Sequence, residues 1–461
     1  MDKKIKILMQ PSDYQGVGYW RTIWPAQSME KHYKDEFDVE IGVDVNFEDI
    51  EYLSKFDVIH FHRQMGDYAK FPELAAKLSQ KGVLIIMDID DYWEPASTHP
   101  LYEIVKKEKL SEKILSNLKY VDCVTTTTDI FKKYILKHNP NVHVIPNAVD
   151  MTQKMWLSES QENKSGKCRI AWAGGSSHLH DLLLLNDSMT KLNHSQDLKD
   201  KYQIVMCGYD IRGSITEIMP DGSTNMRQIQ PQESVWNRFE SIFTSDYSLI
   251  KNKEYVEYLK RIKKDDFPGY ELENYIRRWT LPLTQYGKHY DYCDVCLAPL
   301  EEVEVIKFLA ENKEIVSPND PRPGTITSRL HYFNEVKSEL KIIEAGMKKK
   351  ALIAQNFGIY KELLKDGETG ILVSDNKKGW YKAMRDLILN PELREKLANN
   401  LHEFVKDKYE LKTVTKERVE FYKRILKDKK EGKLKPISTM RVIPVPGNSP
   451  FSVANATKFI K

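Results

Sequence analysis

Cysteine is scarce: Cys123, Cys168, Cys207, Cys293 and Cys296 are the whole complement. So odd and sparse a set fits thiols kept reduced better than a disulfide framework, so the expected location is cytoplasmic. Cys293 and Cys296 form a CxxC, but no second pair completes a zinc site and no redox fold surrounds it. They are expected as small core residues. Long apolar runs are missing as well. None approaches the length that spans a bilayer, and the opening Met1-Asp2-Lys3-Lys4-Ile5 lacks a secretory apolar core. No transmembrane or targeting segment is expected. A dominant charge of one sign is absent too, since 70 Lys and Arg against 67 Asp and Glu leave +3. Neither half carries a complete GxGxxG fingerprint, which argues against a nicotinamide-dependent enzyme.

What is present describes a globular protein of more than one domain. A chain of 461 residues, 41% hydrophobic and 30% charged, is too long for one ordinary core. Strand-like runs alternate with helical stretches, the signature of parallel sheets wrapped by helices. The first series is KIKILMQ, FDVEIGV, FDVIHFH, GVLIIMDID, CVTTTT and VHVIP, with helices expected over Pro72–Gln80, Glu108–Leu118 and Ile130–Lys137. A linker is expected over 151–167, polar from Gln153 to Lys167. The second series opens with CRIAWAGG and QIVMCGYD and resumes with YCDVCLAPL, KKALIAQ and GILVSD. Residues 211–285 interrupt it and are expected as a mostly helical insertion. Ala310 to Ser328, with SPNDPRPG, is expected as a loop because its prolines remove backbone donors. A helical pattern then runs from about Pro391 to Leu426, ahead of a tail with VIPVPGNSP. From Lys406 to Lys435 twelve Lys and Arg face six Asp and Glu. Such a basic helix suits phosphate on lipid, nucleic acid or donor, or is simply a solvated face.

Two α/β domains imply a cleft, and ligands of open parallel sheets sit beyond the carboxyl ends of the strands. Five places lie there. The turn after the first strand carries Gly16 and Gly18, which let backbone approach a ligand, with Arg21 one turn into the following helix. In VIHFH, alternation sends His60 and His62 to one side, and His62 and Arg63 stand at the strand end. Asp88, Asp90 and Asp91 crowd the end of the next strand, where they suit a cation, a proton or sugar hydroxyls; capping and pairing with Arg63 is the alternative. Gly174, Gly175, Ser176 and His178 open the second domain with another strand–turn–helix suited to a phosphate. Finally, Leu340, Ile343 and Met347 fall on one helical stripe, so a helix is expected from about Phe333. Asn334, Lys337 and Ser338 then lie near its N-terminus, where dipole and ammonium attract a diphosphate. Lys341 and Glu344 follow at one-turn spacings, as ligands or as a surface ion pair.

The segments YCDVCLAPL, FNEVKSELKIIEAGMKKKALIA, FGIYKELLKDGETGILV and NPELREKLANNLHEFV resemble the C-terminal domain of glycosyltransferase family 4 and its relatives. GVGYWR, DIDDYW and VIPNAVD are similar to the N-terminal half of the same branch. The likeness covers most of residues 1–428 and leaves 211–285 unmatched. It implies the GT-B fold, two Rossmann-like α/β domains facing across a cleft: 1–150 on the acceptor side, 168–405 on the nucleotide-sugar side. A helix over 406–428 would return to the first domain, ahead of an extended tail over 429–461.

By the same resemblance, Glu344 matches the second glutamate of a paired motif and would hydrogen-bond the donor ribose. Val336 stands where the first glutamate belongs. The usual Arg and Lys pair after the first strand of the second domain is replaced by GGSSHLHD. His178 and Lys337 are the candidates to neutralise the diphosphate instead. Implied chemistry is transfer of a sugar from a nucleoside-diphosphate sugar, UDP- or GDP-linked, to an acceptor hydroxyl with retention. No tightly bound cofactor and no essential divalent metal are implied. Asp91, His62 and Lys337 are the candidate catalytic residues, and the acceptor is expected to be a carbohydrate or glycolipid. Two rivals remain. One keeps the chemistry but makes the acceptor a modified base of phage-type DNA, tracked by the insertion and basic helix. The other is a non-catalytic scaffold of this fold, favoured by Val336. Oligomeric state is left open.

Overall fold

The computed structural model describes residues 3–95, 99, 101–157, 166–210, 214–219, 221, 223–228, 234–246, 271–272, 274–302, 305–309, 314–316, 322–329, 332–376 and 378–434. Every run of the first series is a strand: β1 (Ile5–Gln10), β2 (Phe37–Ile41), β3 (Val58–His62), β4 (Leu84–Asp88), β5 (Cys123–Thr126) and β6 (Val142–Val144). They form one parallel sheet in the order β2-β1-β3-β4-β5-β6. β3 and β4 are buried along their whole length, which is why they read as nearly unbroken apolar runs.

In the second domain β7 (Cys168–Ala173) and β8 (Tyr202–Tyr209) are followed by a hairpin, β9 (Ser214–Ile218) and β10 (Thr224–Gln228). Then come β11 (Glu271–Leu272), β12 (Tyr275–Trp279) and β13 (Val295–Ala298). β14 (Val305–Leu309), β15 (Glu314–Val316) and β16 (Thr325–Arg329) form a small antiparallel sheet, and β17 (Ala351–Gln355) and β18 (Ile371–Val373) finish the series. The main sheet runs β11-β12-β8-β7-β13-β17-β18, with only β11 antiparallel. Strand order reverses at β1/β3 in one sheet and at β7/β13 in the other, the two places where such sheets open to a ligand.

Four expectations need correction. Residues 211–285 are not simply a helical insertion. Within them the helix Val235–Thr244 buries Trp236, Phe239, Ile242 and Phe243 in the domain core, and β12 extends the main sheet beside β8. β12 hides from a search for apolar runs because it carries Arg277 and Arg278. Arg277 is fully buried against Glu240, with its guanidinium 4.1 Å from the Tyr209 ring centre. The expected loop 310–328 contains β15 and most of β16. The linker is partly folded: Lys154–Leu157 is helical and buries Met155 and Trp156, while 158–165 lie outside the described residues. The helix expected from Phe333 is two, Tyr332–Glu335 and Leu340–Met347, with a break between. Of the tail, residues from 435 onward lie outside the described residues.

The final helical pattern divides into Pro391–Val405 and Leu411–Lys430. At the division Val149 and Leu411 pair backbone to backbone, so both chain crossings between the domains are stitched together. Leu411–Lys430 lies on the first domain. Thr415 Oγ1 meets Ser28 Oγ at 2.8 Å, Tyr422 bonds His60 Nδ1 at 2.5 Å, and Lys429 Nζ reaches Asp122 at 2.7 Å. Among the described residues no helix is long and apolar enough to cross a membrane. The helix buries Leu411, Val414, Val419, Phe421, Tyr422, Ile425 and Leu426. At about 1.5–3 kcal/mol for each large apolar side chain, that contribution rivals a typical net stability of about 5–15 kcal/mol. A chain ending at Glu410 is therefore expected to lose its cooperative transition in scanning calorimetry; an unchanged transition would show the helix to be dispensable.

Candidate functional site

On the first domain, the turn after β1 is fixed by Asp13, whose Oδ1 accepts the N–H of Gln15 at 2.8 Å and of Gly18 at 3.2 Å. A Cβ on Gly18 would stand 1.8 Å from the Asp13 carbonyl oxygen, so only glycine fits; the same position on Gly16 faces open space. The helix then passes through a π-helical turn, Tyr19–Ile23. That turn carries Arg21 inward, which corrects the expectation that it faces a ligand. Its Nε and Nη2 clasp Asp88 at 2.9 and 2.8 Å, and Nη1 donates to the Ile145 carbonyl at 2.9 Å and Asn147 Oδ1 at 3.3 Å. Burial pushes the Asp88 carboxyl up, but the Arg21 charge outweighs it and holds the group down at about 2.

The two histidines of β3 are internal as well. His60 lies between Thr125 and Tyr422, and burial lowers it to about 3, so it is neutral. His62 is 1% exposed, with Nδ1 on Ser12 Oγ at 2.7 Å and Nε2 on Asp90 at 2.8 Å. Both ring nitrogens are occupied, so His62 does not reach the cleft as expected; it fixes Asp90. Asp90 also takes Arg63 at 2.8 Å, and Arg63, against the cost of burial, holds it well below the carboxylate range. Asp91, about a third exposed, is the one member of the acidic cluster left facing the cleft. The mutual repulsion of the three carboxylates is thus answered by Arg21, Arg63 and His62. Among the described residues no three His, Cys, Asp or Glu side chains are grouped to hold a metal ion.

On the second domain, Gly174 packs over the Trp172 ring, and Gly208 at φ +100° approaches the Gly174 carbonyl so closely that a Cβ would lie 2.5 Å from it. Gly175 faces open space, ahead of the short turn Ser176–His178. His178 Nδ1 contacts Asp181 Oδ2 at 2.7 Å; to donate from Nε2 to an anionic oxygen as well, the ring must carry its second proton. Asp181 is a hub that the strand pattern did not single out. Its Oδ1 accepts the Glu301 N–H at 2.7 Å and Asn334 Nδ2 at 3.0 Å. Asn334 Nδ2 also reaches the Glu301 carbonyl at 2.9 Å, so it clamps the loops that build the site and does not line it with a free amide.

The break between the two helices carries Lys337 and Ser338, both half-buried, ahead of the Leu340–Met347 N-terminus. Lys337 Nζ lies 3.1 Å from Asp91 across the cleft and 4.0 Å from the Phe333 ring centre. Its neighbours reach the first domain too: Glu335 takes the Tyr134 hydroxyl, and Glu339 Oε1 accepts the Asn147 N–H at 2.7 Å. Glu344 is buried, so its pair with Lys341 is not a surface one. Lys341 Nζ contacts Glu344 Oε2 at 3.2 Å and the Tyr286 hydroxyl at 3.1 Å. Burial lowers Lys341, but the Glu344 charge outweighs it and pushes it up. Tyr290, Lys341 and, at 3.5 Å, Tyr286 all meet the same oxygen, Oε2. Among the described residues no partner stands on Oε1. Beneath Lys341, Cys293 and Cys296 are free thiols 3.6 Å apart beside a void of about 10 Å³.

Residues 340–404 match the family model described as glycosyl transferases group 1. No curated protein matches the chain in sequence. Among solved structures, the chain is similar to sucrose-phosphate synthase from Thermosynechococcus elongatus, with a TM-score of 0.52 at 13% identity over 92% of this chain and 100% of that one. HepE from Anabaena, in complex with UDP and glucose, scores 0.52 at 10% identity over 91% of this chain and 99% of its own. A glycosyltransferase from Rickettsia africae scores 0.52 at 14% identity over 92% and 100%. At these identities the likeness is one of fold: two α/β domains facing across a cleft, the GT-B arrangement.

Proposed function

We propose that this protein is a glycosyltransferase that moves a sugar from a nucleoside-diphosphate sugar to an acceptor hydroxyl with retention of configuration. The observation that carries the reading is the strip Lys337–Glu344. It lies at the cleft, ends in a carboxylate whose Oε1 meets no partner among the described residues, and from residue 340 falls within the match to glycosyl transferases group 1. The diphosphate would lie against Lys337, Ser338 and the Leu340–Met347 N-terminus, with Gly175, Ser176 and His178 opposite. Fixed donors there stabilise charge as the anomeric carbon–phosphate oxygen bond breaks. The acceptor oxygen bonds the anomeric carbon on the face the diphosphate leaves, and its proton passes to a phosphate oxygen. Asp91, on the acceptor side, orients that hydroxyl. UDP or GDP is the nucleotide expected, in part because HepE is described with UDP. The acceptor is a carbohydrate or glycolipid.

Val336 is completely buried, so the position that would hold the first glutamate gives nothing to the sugar. Titration calorimetry with UDP, GDP, ADP and CMP tests the reading: at least one must bind the wild-type chain. Glu344→Gln should weaken that nucleotide about tenfold, the loss of one hydrogen bond to a charged acceptor. A fall in melting temperature at unchanged affinity would make Glu344 only the buried partner of Lys341.

A further inference from the structure

We infer that Glu339 is a positioning residue, one that fixes the pivot between the domains against the helix that would receive the donor diphosphate. This rests on the glycosyltransferase reading above. Glu339 stands at the N-cap position of Leu340–Met347 but makes no capping bond with its side chain. The side chain turns to the other domain, where Oε1 accepts the N–H of Asn147 at 2.7 Å. It is 1% exposed, and its Oε2 is buried with no hydrogen-bond partner among the described residues. Asn147 is held from behind by Arg21, the same guanidinium that clasps Asp88. Two residues on, Val149 is bonded backbone to backbone with Tyr409 and Leu411, the second chain crossing. Glu339 is therefore the side chain that joins the strand ends of the first domain, through Arg21 and Asn147, to the Lys337–Leu340 strip.

A carboxyl with one bare buried oxygen is poorly placed to carry charge. Burial raises it to about 7, against the backbone N–H groups of Glu339 itself and of Asn147, which lower it; the charged groups on the elements packed around it, Arg21 after β1 and Lys408 ahead of the last helix, lower it further. The phenol of Tyr409 faces it as well and is raised, first by burial and then by the Glu339 charge. Protonated, Glu339 keeps the bond to Asn147 without a buried charge. Ionised, it favours any arrangement that lets water reach Oε2, which means a loosened pivot. The sign follows from linkage. The tight pivot binds the proton better than the loosened one, so its advantage is complete below the ordinary carboxyl range. That advantage is lost as pH rises towards about 7 and stays lost above it. A loosened pivot no longer pre-organises the Lys337–Leu340 strip ahead of its helix N-terminus, and the cost of ordering it lowers donor affinity.

The test compares wild type, Glu339→Gln and Glu339→Ala with a nucleoside-diphosphate sugar that wild type binds, alongside small-angle scattering of the unliganded proteins. Wild-type affinity is expected to fall at least tenfold from pH 5.5 to pH 7.5, and its radius of gyration to increase. Glu339→Gln keeps a neutral acceptor for Asn147, so its affinity and radius should stay at the acid-side values throughout. Glu339→Ala should be weak at both pH values while remaining folded. Wild-type affinity in Glu339→Ala, or parallel pH profiles for wild type and Glu339→Gln, would overturn the inference and leave the glycosyltransferase reading standing. Absence of any nucleotide binding would sink that reading, while the scattering comparison would still decide whether Glu339 sets the pivot.

Discussion

Lys337→Ala is expected to weaken nucleoside-diphosphate binding by about 10- to 100-fold, the equivalent of about 1.5–3 kcal/mol for a hydrogen bond to a charged group. The ammonium now sits on Asp91 at 3.1 Å, and both side chains are partly exposed. An ion pair of that kind contributes about 0–1 kcal/mol, so the melting temperature should barely move. A diphosphate brings more than one charge and displaces the single carboxylate. Asp91→Asn removes the competitor, so it should leave nucleotide affinity equal or higher while turnover falls, because Asp91 belongs to the acceptor side. Calorimetry and a steady-state assay on both variants separate the roles. Unchanged affinity in Lys337→Ala would remove the diphosphate from this strip, and equal loss of affinity and turnover in Asp91→Asn would move Asp91 to the donor.

Arg21→Ala should act in the opposite way, through stability. It strips the counter-ion from Asp88, a carboxylate that is 1% exposed. Removing one member of a buried pair costs about 3–5 kcal/mol. In a domain of this size that lowers the melting temperature by on the order of 10 °C. Asp88 ties the effect to acid as well. Its folded value of about 2 lies below the ordinary carboxylate value, so its contribution is present above about pH 4 and is lost as pH falls towards about 2. At a temperature where Arg21→Ala is folded, nucleotide should still bind. Wild-type stability with binding abolished would return Arg21 to the ligand.

Strands and cleft loops were legible in the sequence to different degrees for physical reasons. A strand buried on both faces has no polar option on either side, so β3, β4, β7 and β17 announce themselves as apolar runs. β12 does not, because Arg277 is satisfied by Glu240, 37 positions away, and Tyr209 covers its guanidinium. β15 and β16 of the small sheet are short and separated by the prolines of SPNDPRPG, so 310–328 read as loop. The break at Lys337–Glu339 was invisible because the apolar stripe of Leu340, Ile343 and Met347 runs on in register with Phe333. Only the inward turn of Glu339 and the clamp on Asn334 show why the chain leaves the helix there.

What the sequence by itself determined is whatever depends on neighbours along the chain: alternation of strands and helices, the two parallel sheets, and the glycine turns at Gly16, Gly18, Gly174 and Gly175. Asp13 and Gly18, five residues apart, already define the first turn. What only the tertiary structure decided is which charged groups are spent on the protein and which remain for a ligand. Arg21 and Asp88 are separated by 67 positions, His60 and Tyr422 by 362, Lys337 and Asp91 by 246. A charge buried without a partner costs far more than one at the surface, so each buried one must find its counterpart across the fold. That pairing used up Arg21, Asp88 and Asp90 inside the molecule, hydrogen bonds hold His60 and His62 there, and Asp91 and Lys337 are left at the cleft, an outcome written in distances between strand ends that no local pattern encodes.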